Sequence, residues 1–201
     1  MGDGLVTAAI LGERGMLGSV VKRRWAELGA DLVTPATADY IVNCIRPDDL
    51  ILSERLSETA TLIQPSTDAI AEDTDYAVGK RLLERIPAVT IRSGLVDITR
   101  QPGIAYRNWR CNPITPLEWA DLAWELRDSP GVHVAGREPV SRFGVVSMVA
   151  YLWDEPAPVP GWAEVPNDRI QTDRHRTWDT LLEALTEYRA WLRPSVPPHP
   201  R

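Results

Sequence analysis

Residues 5–18 read LVTAAILGERGMLG, and the rest of the chain is arranged around them. The stretch opens as a run of small, β-branched and aliphatic residues, which suits a buried parallel strand. It closes with Gly12, Gly15 and Gly18 in a G-x-x-G-x-x-G spacing. After it, SVVKRRWAELGA carries Val20, Val21, Trp25 and Leu28 at roughly helical intervals. The change from strand to helix therefore falls on the glycines. At such a break, free N–H groups of a helix N-terminus can face a phosphate, and glycine lets the chain turn sharply beneath it. The same pattern also serves as a turn that merely packs a helix closely on a sheet, so by itself it leaves both readings open.

Composition narrows the class. A chain of 201 residues suits one medium domain, or a domain with a small appendage. An apolar content of 44% supplies a core. The net charge of −6 argues against a nucleic-acid surface, which needs a basic patch. Cys44 and Cys111 make no disulfide framework, and reduced thiols in a cytoplasm are expected. No apolar run approaches the ~18 residues of a membrane span. No basic leader precedes the first strand, so a cytoplasmic protein without a membrane partner is expected. No cluster of Cys and His has metal-ligand spacing, and no metal is expected. Tryptophans gather from Trp109 onward, so the second half is built differently from the first.

Beyond Gly29, which suits a helix stop, ADLVTPA reads as a short second strand. In NAD-binding units an acid at the end of this strand holds the ribose hydroxyls. Here Thr34, Pro35, Ala36 and Thr37 follow, with no acid before Asp39 and no arginine for a 2′-phosphate. The choice between NAD and NADP is therefore not readable. YIVNCI, residues 40–45, is the next strand, and it follows too soon for a crossover helix. A parallel crossover needs about a dozen residues, so either these strands pair antiparallel or a βα unit has been lost. Asn43 and Cys44 fall at its carboxyl end, where ligands bind in open α/β sheets, although Cys44 reads first as a small buried apolar residue.

PDDLILSERLSE is a short helix begun by Pro47, and ATLIQPSTDAI is a strand ending in Ser66, Thr67 and Asp68. EDTDYAVGKRLLERI is a helix, and AVTIRSGLVDI a strand ending near Ser93 and Gly94. The helix sets Tyr76 and Lys80 one turn apart on one face. An ammonium close to a phenol favours the phenolate, and the phenol can then exchange a proton with a hydroxyl or carbonyl near neutral pH. A strand hydroxyl such as Thr67 or Ser66 can bond the same oxygen. As a bare pair, Tyr-x-x-x-Lys is common on ordinary solvated helices, and only its place in the chain gives it weight.

That order of motifs resembles the extended short-chain dehydrogenase/reductases, in particular the dTDP-4-dehydrorhamnose reductase branch and the related nucleotide-sugar epimerases. The matching pieces are ILGERGMLG, YIVNCI, LIQPSTDAI, YAVGKRLLE and VTIRSGLV, followed by NPITPLEWADLAWEL and GVHVAGREPVSRFGVVSMVA. The resemblance covers most of residues 5–150. It implies that Gly12, Gly15, Met16, Leu17 and Gly18 cradle the pyrophosphate of NAD or NADP. Cys44, Ser93, Gly94 and Leu95 would also line the cofactor, the last three at its nicotinamide end. Tyr76 would be the catalytic acid, Lys80 its partner, and Thr67 the hydroxyl that orients a carbonyl, with Asp68 beside it on the substrate. The implied reaction is reduction or epimerisation of a nucleotide-linked keto sugar, and the family is compatible with a homodimer.

The chain departs from the family by being shorter. It is trimmed between Ala36 and Tyr40, between Cys44 and Thr61, and between Asp68 and Tyr76. The trims spare Thr67, Tyr76 and Lys80, so retained chemistry is the favoured reading. A non-catalytic relative that binds a nucleotide or a protein partner is the alternative. In the second half, Arg107 and Arg110 flank Trp109, a set suited to a diphosphate and a base or sugar, or equally to a surface loop. His133 lies in an apolar strand and is given no role. Residues 154–167 read as a proline-rich linker or loop, and the basic group Arg169, Arg174, His175 and Arg176 as a solvated face. The last helix is expected from about Thr177 to Leu192.

The expected fold is α/β: a reduced Rossmann-like, mostly parallel sheet flanked by helices, with a small C-terminal α/β substrate lobe. The division is 1–97 for the cofactor region, 98–193 for a lobe interleaved with the sheet, and 194–201 for a tail.

Overall fold

The computed structural model describes residues 5–45, 50–72, 74–96, 103–164, 167–169 and 180–193. The elements run β1 (Thr7–Leu11), α1 (Met16–Glu27), β2 (Asp31–Leu32), β3 (Tyr40–Asn43), α2 (Leu50–Ser57), β4 (Thr61–Thr67), α3 (Asp75–Leu83) and β5 (Val89–Leu95). They continue with β6 (Ile104–Tyr106), β7 (Trp109–Cys111), β8 (Pro113–Ile114), α4 (Pro116–Glu125), β9 (Gly131–Ala135), β10 (Val140–Ser141), α5 (Arg142–Trp153), β11 (Val159–Gly161), β12 (Asn167–Arg169) and α6 (Leu181–Leu192).

The main sheet is parallel throughout, in the order β2-β1-β3-β4-β5. The far edge of β5 takes two partners end to end, β9 along Val89–Ser93 and β8 along Gly94–Leu95. Strand residues alternate between two apolar layers, as a doubly covered sheet requires. Ala8, Val42 and Ile63 face α1 and α4, where Val20, Val21, Trp25, Leu117 and Ala120 are buried. Ala9, Ile41 and Leu62 face the other way, with Leu56 of α2 and Leu83 of α3. This is the Rossmann-like α/β sheet expected from the sequence.

The short link between β2 and β3 fits the second expected alternative, a lost βα unit, and not antiparallel pairing: among the described residues no strand lies outside β2, where the doubly wound order places one. Both strands run parallel to β1, one on each side, and Ala8 is the partner of both Leu32 and Tyr40. A crossover is normally long because the chain must travel back along a strand before pairing again. Here β2 stops opposite Ala8, where β3 starts. Residues 33–39 therefore move only two strand spacings sideways, about 10 Å, and a 3₁₀ turn at Pro35–Thr37 suffices.

A second body of strands grows from the carboxyl ends of β5 and β9. β7 pairs with β10 and β12, and β11 pairs with β6. Val145, Val149 and Leu152 of α5 close on Leu181 and Leu185 of α6. The proline-rich stretch thus contains a strand, since Val159–Gly161 pairs in register with Ile104–Tyr106. α6 begins behind a capping box at Thr180 and Glu183, and residues 177–179 lie outside the described residues.

Helices α1 and α4 pack against each other through Trp25, which is fully buried. Its indole Nε1 donates to the Ala120 carbonyl at 3.1 Å, and its ring meets Trp124 edge-on at 5.2 Å. Trp25→Ala should cost about 3–5 kcal/mol of unfolding free energy, read from urea denaturation. A loss under about 1 kcal/mol, the scale of a surface change, would contradict this packing.

Candidate functional site

The glycine turn joins β1 to α1. Gly12 has φ +76°, in the left-handed region, and a Cβ there would sit 3.0 Å from the Cys44 carbonyl carbon. Its carbonyl accepts the Gly15 N–H at 2.9 Å. A Cβ on Gly18 would collide with that same Gly12 oxygen. The turn is thus closed on itself, and glycine is required at both ends. Gly15 is the N-cap of α1, without a side-chain cap, and the first turn of α1 holds no acid. Glu13 is drawn to Lys22 at 2.6 Å. The helix N-terminus therefore keeps the features that receive an anion. The Leu17 side chain is buried in the core, so what Leu17 offers a ligand is its backbone. The glycine cradle and uncapped helix end fit a pyrophosphate.

The carboxyl ends of β3, β4 and β5 form the rest of the site. Asn43 is buried, donates from Nδ2 to Ser53 Oγ at 3.1 Å, and accepts the Ile45 N–H at 3.1 Å. Thr67 and Ser93 are paired rungs of β4 and β5, and both are buried. The Thr67 hydroxyl accepts the Ala69 N–H at 3.1 Å and lies 3.5 Å from Asp68 Oδ1. Gly94 completes this corner. A Cβ there would lie 2.6 Å from Asp68 Oδ2 and 2.9 Å from the Asn112 carbonyl oxygen. Thr67, Asp68, Ser93 and Gly94 are therefore brought together.

Helix α3 carries Tyr76 and Lys80. Thr74 caps it, its hydroxyl accepting the Ala77 N–H at 3.2 Å. Tyr76 is 53% exposed, whereas Lys80 is 4% exposed. The Lys80 ammonium donates to the Pro65 carbonyl at 2.7 Å and lies 5.8 Å from the centre of the Tyr76 ring. That is within range of a cation–π contact. Burial lowers the Lys80 ammonium to about 8, against an opposing pull from the Glu84 carboxylate. Burial pushes the neighbouring Cys44 thiol up to about 12, so it stays protonated. The chain contains only two lysines, Lys22 and Lys80, among 22 basic residues. Lys80 is the buried one, and an arginine in its place would stay charged near neutral pH.

The substrate-side candidates lie on the second body, on and beside β7. The Arg107 guanidinium lies over the Phe143 ring at 4.9 Å, and the Trp109 and Tyr106 rings are 5.0 Å apart. Arg110 is exposed on β7, in register with Ser141. Of the basic group near β12, Arg174, His175 and Arg176 lie outside the described residues. His133 contacts the Ser129 carbonyl at 2.7 Å.

A buried polar cluster behind β5 was not foreseen. Glu118 is fully buried, accepts the Thr115 N–H at 2.7 Å, and is ion-paired with Arg137. Asn112 donates to the Arg137 carbonyl at 2.5 Å. The T-x-x-E capping box at Thr115 was a visible sign of half of this. The pairing with Arg137 depends on β9 lying beside β5. A groove of about 1050 Å³, walled by Asp39, Tyr40, Arg127 and Asp128 among others, opens at the opposite, amino end of the sheet.

Sheet order, glycine turn and the position of α3 together define a Rossmann-like, mostly parallel α/β fold. The chain shares this fold with a UDP-N-acetylglucosamine 4-epimerase from Bacillus cereus, at a TM-score of 0.69 and 12% identity, covering 93% of this chain and 96% of that one. It shares it also with a dTDP-4-dehydrorhamnose reductase from Bacillus anthracis in complex with NADP, at 0.67 and 12%, covering 85% and 92%. A third is a GDP-mannoheptose C4 reductase from Campylobacter jejuni with NADP bound, at 0.63 and 10%, covering 93% and 98%. No family model matches the chain, and no curated protein matches it by sequence.

The position of Lys80 has a consequence for stability. The unfolded chain holds this proton up to the ordinary 10.5, whereas the folded chain releases it near 8. Between those values the unfolded state binds more protons, so stability rises with pH. Below them both states are protonated and the cost of the buried charge is constant. Lys80→Met should abolish this rise, read as the difference in urea midpoint from the parent between pH 7.5 and 10.5. Parallel curves for the two proteins would show that the ammonium is not buried.

Proposed function

We propose that this chain is an NAD(P)-dependent enzyme that reduces or epimerises a nucleotide-linked keto sugar. The observation that carries the reading is the buried Lys80 ammonium beside the exposed Tyr76, on a helix next to Thr67, in a fold whose first turn fits a pyrophosphate. Gly12, Gly15 and Gly18, with the backbone of Met16 and Leu17, would hold the pyrophosphate. Cys44, Ser93, Gly94 and Leu95 would border the rest of the cofactor. A bound nicotinamide supplies hydride to a sugar carbon or takes it away.

The remaining work falls to the protein. Thr67 Oγ1 orients the substrate oxygen, and Tyr76 Oη gives or takes its proton. The Lys80 charge favours the tyrosinate. Asp68 bonds sugar hydroxyls beside Thr67. Arg107, Arg110 and Trp109 receive the nucleotide diphosphate and its base. The relatives in fold carry names of this chemistry, which supports the substrate class and the cofactor.

A second reading, a non-catalytic Rossmann-like protein that binds a nucleotide or a protein partner, draws on the end of β2. There the 3₁₀ turn of Pro35–Thr37 brings no acid to a ribose. Tryptophan fluorescence and thermal protection with NADH and NADPH separate the two. Binding of at least one dinucleotide is expected, and binding of neither overturns the redox reading. Tyr76→Phe should remove turnover by at least about 100-fold, the scale of a lost general acid, while leaving dinucleotide affinity within about twofold. Equal turnover would remove Tyr76 from the mechanism.

A further inference from the structure

Three consecutive residues of β4 grip the last turn of α3. Gln64 Nε2 donates to the Leu83 carbonyl at 2.9 Å and to Thr90 Oγ1 at 3.1 Å. The Pro65 carbonyl accepts Lys80 Nζ. The Ser66 hydroxyl donates to Glu84 Oε1 at 2.6 Å. Glu84 is the C-cap of α3, one turn beyond Lys80. The same carboxylate takes the fork of Arg92, Nε to Oε1 at 3.1 Å and Nη2 to Oε2 at 2.6 Å. A two-pronged guanidinium–carboxylate pair fixes direction as well as distance. Side-chain accessibility is only 22% for Arg92 and 11% for Glu84, so water competes weakly for the pair.

The register gives this clamp its meaning. Ser66 and Arg92 are cross-strand partners, and the next rung is Thr67 and Ser93. Successive residues point to opposite faces. One carboxylate therefore holds the rung immediately below the one that carries the orienting hydroxyl. It holds that rung to the helix that carries Tyr76 and Lys80.

We propose that Glu84 is a positioning residue: by joining Ser66 and Arg92 to the end of α3, it sets Tyr76 and Lys80 against Thr67 and Ser93. This rests on Tyr76 and Lys80 being the proton-transfer pair. Glu84 acts on Lys80 in two ways, by place and by charge. The charged or titratable groups facing Lys80 are Cys44 from the end of β3 and Tyr76 and Glu84 from its own helix. Glu84 is the carboxylate among these three.

The two lysines make the test direct. With lysine labelled at Cε by 13C, the protein gives two signals, and Lys22 is the internal control. Glu84→Gln should move the Lys80 titration downward by about half a pH unit and leave Lys22 in place. It should lower kcat with dTDP-4-dehydrorhamnose and NADPH by about tenfold, the scale of a small misplacement, with NADPH affinity within about twofold. Glu84→Asp keeps the charge but is too short to reach both Ser66 and Arg92. It should leave the Lys80 titration near that of the parent yet still lower kcat.

An unmoved Lys80 in Glu84→Gln, or full activity in Glu84→Asp, overturns the proposal. Should the Glu84 variants not fold, Arg92→Lys and Ser66→Ala cut the same clamp more gently, and unchanged kcat in both overturns it. If the parent binds no dinucleotide, the functional reading fails instead, and the Lys80 titration in Glu84→Gln still decides whether the clamp exists.

Discussion

The Gly12 carbonyl occupies the space that any side chain on Gly18 would need. Much of the molecule follows from that close approach. It starts α1 directly above the end of β1, leaves Gly12 left-handed, and leaves the first turn of α1 without a side-chain cap. It also fixes the angle at which α1 lies on the sheet. Trp25 can then reach the Ala120 carbonyl and lock α1 to α4. Through the capping box at Thr115 and the Glu118–Arg137 pair, α4 in turn holds β8 and β9 along the free edge of β5.

The opposite face is organised by β4. Its residues 64–66 carry a side-chain amide, a carbonyl and a hydroxyl that all engage α3. Most strand side chains in a doubly covered sheet are apolar, and a buried polar group there costs stability unless it is paired. Gln64, Ser66 and Thr90 are buried polar residues on this face, and each is bonded across β4, α3 or β5. The result is a helix whose end is set by directional bonds rather than by packing alone. That precision has a use when a phenol and an ammonium on the helix must meet a hydroxyl on the strand.

Local features were legible in the sequence. The strand–glycine–helix break at residues 5–18, the Tyr76–Lys80 spacing and the strand ends at Thr67 and Ser93 each depend on neighbours within a few residues. Features that depend on register were not. Nothing local marks β2 as stopping opposite Ala8, so the direct passage of residues 33–39 across β1 could not be seen. Glu84 reads as one more acid at a helix end until the pairing of Ser66 with Arg92 is known. The strand at Val159–Gly161 was hidden by its prolines, because its partner among the described residues is β6, more than fifty residues earlier. The charge state of Lys80 was equally hidden, since burial beneath β4 decides it.

The proposed chemistry requires that the glycine turn receive a dinucleotide at the carboxyl end of the sheet. Amide hydrogen exchange, with and without NADPH, tests it residue by residue. Slowed exchange is expected at residues 15–19 of the turn and first helical turn, and around Thr67 and Gly94, with no change at Tyr40 or Asp128. Protection confined to the groove at the amino end of the sheet, or none at the turn in the presence of saturating NADPH, would contradict it.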